Sequence, residues 1–208
     1  DNVPRVDVLI PFRTRGPMLA AAVQSVQSQT FRDFRLLLVE DSPTPILDRP
    51  SYLDGAILEA GNFQSISRAL NHGLACSTAE YVARLDSDDR MFPGRLEQQV
   101  AFLDQNPDVA VLGSWMITFG LRSQKWRYPA AYRELEFGMS FRNELAHPSV
   151  MIRASALEDI EGPYRPGFDG VEDWDLWERL SARSKLACLP EYLTFHRLHE
   201  GQHSRRVR

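Results

Sequence analysis

The feature that most constrains this chain is an alternation of two apolar periods from Val6 to Leu112. Val6-Asp-Val-Leu-Ile-Pro11 is a β-rich run ending at a proline, which reads as a strand and its exit. Met18, Leu19, Ala22, Val23 and Val26 follow at helical spacing. Arg35-Leu-Leu-Leu-Val-Glu40 is nearly all apolar, as in a strand covered on both faces. Ala56-Ile-Leu-Glu59 reads as a short third strand, Ile66, Leu70 and Leu74 as a helix, and Tyr81-Val-Ala-Arg-Leu85 as a strand. Pro93 opens a helix carrying Leu96, Val100 and Leu103, which stops near Asn106-Pro107, and Val109-Ala-Val-Leu112 is the next strand. Such alternation predicts an α/β fold, Rossmann-like, with a mostly parallel central sheet and helices on both faces.

In such sheets ligands bind beyond the carboxyl ends of the strands. The exits are therefore the places to look. They read Phe12-Arg-Thr-Arg-Gly16, Glu40-Asp-Ser42 and Asp86-Ser-Asp-Asp89. Two of the three are acidic, and all three are expected to open on one crevice.

After Trp115 the apolar segments shorten and aromatics become denser, with Phe119, Trp126, Tyr128, Tyr132, Phe137 and Phe141. His147-Pro-Ser-Val-Met-Ile152 reads as a strand, Trp174, Leu176, Trp177 and Leu180 as a helix, and Tyr192-Leu-Thr-Phe195 as a last strand. No repeat or linker divides the chain. The reading is one domain over 1–208, with a half at 1–115 and a less regular half at 116–208 that covers one end of the sheet. At 208 residues the length suits one large domain.

The net charge of −4 lacks the basic footprint of a nucleic-acid binder. No apolar run reaches the ~18 residues of a membrane helix, and no signal peptide opens the sequence. Cys76 and Cys188 sit in apolar stretches and read as buried reduced thiols. The expected location is cytoplasmic, with peripheral contact at the inner face of a membrane allowed.

Asp86, Asp88 and Asp89 crowd like charges at one strand exit. A bound Mg²⁺ or Mn²⁺ relieves that repulsion, taking one or two carboxylates plus substrate phosphates. Aspartates there also serve as turn formers and caps, and Asp89 reads as such a cap. Asp41 offers a carboxylate to a base N–H or a ribose hydroxyl, or forms a turn with Ser42 and Pro43. Glu172 and Asp173 precede the Trp174 helix. They favour the helix dipole, or supply a partly desolvated general base. His199 and His203 stand four apart, but Gly201 between them weakens any helix, and zinc is not expected there.

Taken in order, these residues resemble the inverting, nucleotide-sugar-dependent glycosyltransferases of the GT-A fold, family 2. The resemblance runs from Val6 to Ser204. It rests on Val6–Pro11, Ser25–Phe34 and Leu38–Ser42; on Asn71-His-Gly-Leu74, Ala83–Asp89 and Pro93-Gly-Arg-Leu96; and on His147–Met151, Gly170–Trp177 and Arg197-Leu-His199 followed by Ser204. It implies that Asp41 meets the nucleobase, with Pro11 and Arg13 lining that pocket. Asp86 would contact the ribose or the metal shell, and Asp88 would ligate a Mn²⁺ or Mg²⁺ ion bridging the diphosphate. His199 would help hold the metal or diphosphate, Arg68 and Arg197 would contact phosphate or nucleotide, and Asp173 would deprotonate the acceptor. The implied donor is a nucleoside-diphosphate sugar, UDP-sugar by default. The implied acceptor is a carbohydrate, lipid-linked or protein hydroxyl.

The chain departs from the family in places. Pro11-Phe-Arg-Thr14 lacks the usual small polar residue and Tyr-Asn, and Glu40 stands where aspartate is usual. The Gln-x-x-Arg-Trp signature of processive synthases is absent, so a single transfer is expected. The alternative is an inactive nucleotide-sugar-binding scaffold on the same fold. A phosphoacceptor receiver would open with the Leu36–Asp41 strand, yet a full strand and helix precede it. A nucleotidyltransferase would need a Gly- and Lys-rich loop after the first strand, where Arg13-Thr-Arg-Gly16 has one glycine.

Overall fold

A computed structural model describes residues 3–44, 50–158 and 160–200. The elements in chain order are β1 (Val6–Phe12), α1 (Pro17–Gln27), β2 (Phe34–Asp41), β3 (Ile57–Gly61), α2 (Ile66–Cys76), β4 (Tyr81–Arg84), β5 (Arg90–Met91), α3 (Arg95–Gln105) and β6 (Val109–Gly120). Then come β7 (Lys125–Trp126), α4 (Tyr132–Met139), β8 (Met151–Arg153), α5 (Glu172–Ser181) and β9 (Lys185–Leu198).

One nine-stranded sheet in the order β3-β2-β1-β4-β8-β6-β9-β5, with β7 on β6, runs through both halves of the chain. Alternate residues of β1 face opposite ways. Val8, Ile10 and Phe12 join Leu19, Val23, Leu96 and Val100 of α1 and α3. Leu9 joins Leu70 of α2. That second core also takes Leu135 and Met139 of α4 and Leu176, Trp177 and Leu180 of α5. Helices thus cover both faces, as the alternation predicts. Gly73 lets α2 lie directly on the sheet, because a Cβ there would run into Leu9 Cδ1.

The sheet is mixed, not mostly parallel. The pairs β1–β2, β1–β4, β2–β3 and β6–β9 are parallel. The pairs β4–β8, β6–β8, β6–β7 and β5–β9 are antiparallel. Apolar periodicity marks a strand but not its direction. Antiparallel neighbours need no helical crossover in a fixed hand, so β8, reached through α4 and left through α5, can lie between β4 and β6. The long strands β1, β2, β3, β4, β6 and β9 still point one way, and their exits share one end of the sheet.

Other boundaries move as well. The segment expected as a strand at His147–Ile152 starts with a 3₁₀ turn at His147–Ser149 before β8. The helix expected to open at Pro93 begins at Arg95. Cys188 is buried as expected, but Cys76 is only half-buried. Among the described residues no helix is long and apolar enough to cross a membrane.

Candidate active site

The β4 exit is where the tertiary structure concentrates charge. Arg95 lies beneath it, fully buried at the start of α3. Its guanidinium donates to the carbonyls of Arg84 (2.9 Å), Pro148 (2.7 Å) and Val150 (3.0 Å), to Thr194 Oγ1 (3.2 Å) and to Gln99 Oε1 (3.0 Å). One side chain thereby ties β4, the 147–150 turn, β9 and its own helix together. Burial pulls its pKa down to about 9.

Above this anchor the acidic turn is clasped by the end of β9. Asp89 is fully buried. Its Oδ2 meets His196 Nδ1 at 2.9 Å, and its Oδ1 accepts from the Arg197 backbone N–H at 2.7 Å. Asp88 Oδ2 meets His199 Nε2 at 2.9 Å, and the Asp88 carbonyl accepts from Arg197 Nε at 3.0 Å. The Arg197 guanidinium also sits over the Phe119 ring at 4.4 Å. Asp86 Oδ1 accepts from Arg84 at 2.7 Å. Asp89 is therefore a cross-link to β9 rather than the cap its position suggests.

The charges respond to this packing. Burial pushes Asp88 up, Asp86 adds repulsion, and His199 works against both. Burial pushes Asp89 up too, and Asp89 in turn holds His196 well above an ordinary histidine against the effect of its burial. Burial alone would raise Asp86, but Arg84, His147 and His196 outweigh it, and Asp86 ends below the usual carboxylate range.

Ligand atoms of Asp86, Asp89 and His196 lie within 4.8 Å of one another, close enough to hold a metal ion. Carboxylate oxygens with one imidazole suit a hard or borderline divalent cation. The set overlaps the expected one only at Asp86. Asp88 and His199 are neighbours paired to each other. His203 lies outside the described residues.

Asp41 ends β2 at the next exit but one. Its Oδ1 accepts the backbone N–H groups of Phe63 (2.8 Å) and Gln64 (2.9 Å). Its Oδ2 accepts Arg13 Nε (2.9 Å) and a terminal Arg13 nitrogen (2.7 Å). Those four bonds fill the ~4 lone-pair sites of a carboxylate. They hold Gln64 in a left-handed conformation, φ 58°. The Arg13 side chain is 62% exposed over Asp41, and Pro11 is buried within β1. Glu40 is buried in an ion pair with Arg15 at 2.6 Å. Arg68 is exposed on the first turn of α2, and no described contact joins its side chain to the acidic turn.

Asp173 lies in the first turn of α5. Its Oδ2 accepts Asn143 Nδ2 at 2.6 Å and its Oδ1 the Trp174 N–H at 2.8 Å. Burial, then the neighbouring Glu172, push its pKa up to about 7. The Trp174 indole donates to the Met139 carbonyl at 2.8 Å, fixing the ring beside the carboxylate. Behind it His147, driven down to about 3 by burial and by Arg84, bonds to Tyr164 Oη at 2.9 Å and lies 3.8 Å from Glu172. The Asn71 side chain clamps the Tyr164 backbone, donating at 2.6 Å and accepting at 2.9 Å. His147 also lies near enough to Asp86 to act on its charge, so the acidic turn and the start of α5 both border this one histidine.

Arg84, Asn143, His196 and Tyr164 were missed in the sequence. An arginine inside the apolar run of β4 was a usable signal for Arg84. Nothing local marks Asn143, whose role exists only through a partner 30 residues away.

Residues 7–156 match the family described as Glycosyl transferase family 2. The chain is 25% identical to an uncharacterized glycosyltransferase of Haemophilus influenzae over 98% of its own length and 68% of that protein. It is 31% identical to the putative glycosyltransferase EpsE of Bacillus subtilis over 85% of its length and 66% of EpsE. In fold it is similar to S. aureus TarS, with a TM-score of 0.73 and 18% identity over 93% of this chain and 37% of that one. TarS 1–349 in complex with UDP-GlcNAc superposes with a TM-score of 0.68 and 18% identity, over 97% of this chain and 60% of that one. The chain thus spans about two thirds of the curated relatives' length and less of TarS. With the GT-A-like α/β sheet, the acidic strand exit and the match over 7–156 in place, the chain belongs to glycosyltransferase family 2.

Proposed function

We propose that this chain moves one sugar from a nucleoside-diphosphate donor, a UDP-sugar by preference, to an acceptor hydroxyl with inversion at the anomeric carbon. The observation that carries the reading is the presence of two sites on either side of His147. A metal-competent acidic turn is clasped by β9, and a carboxyl with its pKa near 7 is fixed on α5. The UDP-GlcNAc complex of TarS, on the same fold, supports the choice of base.

Asp173 accepts the acceptor's hydroxyl proton while that oxygen bonds to the anomeric carbon and the bond to the diphosphate oxygen breaks. A base with a pKa close to the working pH is well suited to this step. One base and one in-line displacement give inversion, by the logic that separates inverting from retaining glycosidases. Asn143 and the Trp174 N–H hold the carboxylate for it, and Trp174 is the aromatic placed to meet a sugar ring. Asp86, which lies within ligand range of Asp89 and His196, would hold a Mn²⁺ or Mg²⁺ ion together with Asp88 once Asp88 parts from His199, and the ion's charge would stabilise the departing diphosphate. The carboxylate and imidazole donors present fit such an ion. Arg197 and Arg68 are assigned to phosphate.

At the base pocket, Asp41 can accept a nucleobase N–H only if Arg13 releases Oδ2. The exposure of Arg13 allows that swing. Pro11 then forms the floor. The donor work falls to residues 1–115 together with Arg197 and His199, which reach back to Asp88, and acceptor binding to the rest of 116–208, within one domain.

Calorimetric titration of UDP with and without Mn²⁺, with TDP and GDP as controls, tests the reading on wild type and Asp88→Ala. Metal-dependent UDP binding that Asp88→Ala abolishes is the expected result. Absence of metal-dependent binding of any nucleoside diphosphate would leave the inactive scaffold as the better description.

A further inference from the structure

A second cluster of metal-ligating side chains lies away from the acidic turn, on the β3 edge of the sheet. Glu59 of β3 and His72 and Cys76 of α2 bring a carboxylate oxygen, a ring nitrogen and a sulfur within 4.8 Å of one another. His72 and Cys76 are one helical turn apart and share a face. β3 is the outermost strand on that side, so the cluster borders solvent and is half-buried.

Two of the three ligand-to-ligand distances match those of a tetrahedral metal site. Zinc bound tetrahedrally to nitrogen, oxygen and sulfur at ordinary bond lengths sets nitrogen and oxygen about 3.4 Å apart, and nitrogen and sulfur about 3.6 Å apart. His72 Nε2 stands 3.3 Å from Glu59 Oε2 and 3.7 Å from Cys76 Sγ. Both contacts fall on the same ring nitrogen. Without a metal that nitrogen serves only one of them well, donating to Glu59 when protonated or accepting from the thiol when not. A cation in the middle satisfies all three ligands at once. The charges also close, because one thiolate and one carboxylate neutralise a divalent ion. The nearby Arg35 guanidinium, which would oppose a cation, is already taken by both oxygens of Asp7 at 2.7 Å. The Phe63 ring, 4.9 Å from the imidazole, covers it on one side.

We propose that Glu59, His72 and Cys76 form a binding site for a zinc-class divalent cation, with water as the fourth ligand, tying edge strand β3 to α2. The thiol and imidazole select zinc or cobalt over Mg²⁺, which prefers oxygen ligands. The site is thereby distinct in chemistry from the acidic turn. Binding replaces the Cys76 proton, which leaves to solvent. The clamp also steadies the start of the Phe63–Gln64 loop that Asp41 holds.

Cobalt titration of the purified chain tests this. The expected result is one equivalent of Co²⁺ giving thiolate-to-metal charge-transfer absorption, displaced by Zn²⁺ and unaffected by excess Mg²⁺. Cys76→Ser and His72→Gln should each abolish the band while keeping the wild-type circular dichroism and the wild-type response to UDP and Mn²⁺. Zn²⁺ should also slow alkylation of Cys76 by at least tenfold. Absence of the band in wild type, or its survival in Cys76→Ser, would overturn the assignment. Neither outcome bears on the glycosyltransferase reading.

Discussion

Asp173→Asn is expected to make the protein more stable at alkaline pH and less stable in acid, while removing its activity. The Asp173 carboxyl is pushed up to about 7, first by burial and then by Glu172, against about 3.9 for an unfolded aspartate. Between those values the folded chain keeps a proton that the unfolded chain has released. Stability therefore falls as pH rises through the window and levels off above about 7. At about 1.36 kcal/mol per pH unit the gap is worth about 4 kcal/mol. Because the side chain is only half-buried, solvent screening trims this to ~2–3 kcal/mol.

The amide brings its own cost. Asn143 Nδ2 donates to Asp173 Oδ2 at 2.6 Å and the Trp174 N–H to Oδ1 at 2.8 Å. An asparagine would present a donor to Asn143, whose own oxygen already accepts from Leu145 at 3.1 Å. One hydrogen bond is lost, about 1 kcal/mol. The variant should thus be ~1 kcal/mol weaker than wild type near pH 4 and ~1–2 kcal/mol stronger at pH 8. Urea unfolding at a series of pH values reads this directly. A stability difference that does not change with pH would refute the argument. In the same variant kcat should fall ~10²–10⁴-fold with donor KM little changed, as for a lost general base.

Three further outcomes follow from the packing. In wild type, kcat/KM should drop about tenfold per pH unit below pH ~7, as Asp173 takes up the proton it must leave free; a profile flat down to pH 5 would exclude it as the base. Arg95→Met removes the Arg95 donors from the carbonyls of Arg84, Pro148 and Val150, of which Val150 keeps the Arg84 N–H, and should cost ~2–4 kcal/mol by urea unfolding, so a loss under ~1 kcal/mol would contradict the anchoring role. In Asp89→Asn the His196 pKa, held up to about 9 chiefly by that carboxylate against burial, should fall by NMR titration, with only Asp86 and Asp88 left to oppose burial; a value that stays at about 9 would refute the pairing as its main cause.

Much of the first half was legible because its signals are local. β1, β2, β4 and α2 sit where apolar periodicity puts them, and the acidic exits follow from knowing where strands end. The second half was less so. β6 and β9 extend far beyond Val109–Leu112 and Tyr192–Phe195, to Gly120 and from Lys185 to Leu198, because their outer residues are held by each other rather than by an apolar stripe. β5 and β7 are two residues each and have no sequence signal at all.

The sequence by itself determined the layered α/β plan and the strand ends that carry carboxylates, while the choice of Asp86, Asp88 and Asp173 among those carboxylates came from the family resemblance. Periodicity and turn chemistry act over a few residues, and those features need nothing more. Tertiary structure decided the direction of β8, and with it a mixed sheet. It turned Asp89 from a cap into the partner of His196, 107 residues away. It also brought Asn143 against Asp173 and buried that carboxyl, which together with the adjacent Glu172 raises its pKa to about 7. Burial and pairing of this kind depend on which distant segments meet, and a strand's own residues carry no record of its neighbour.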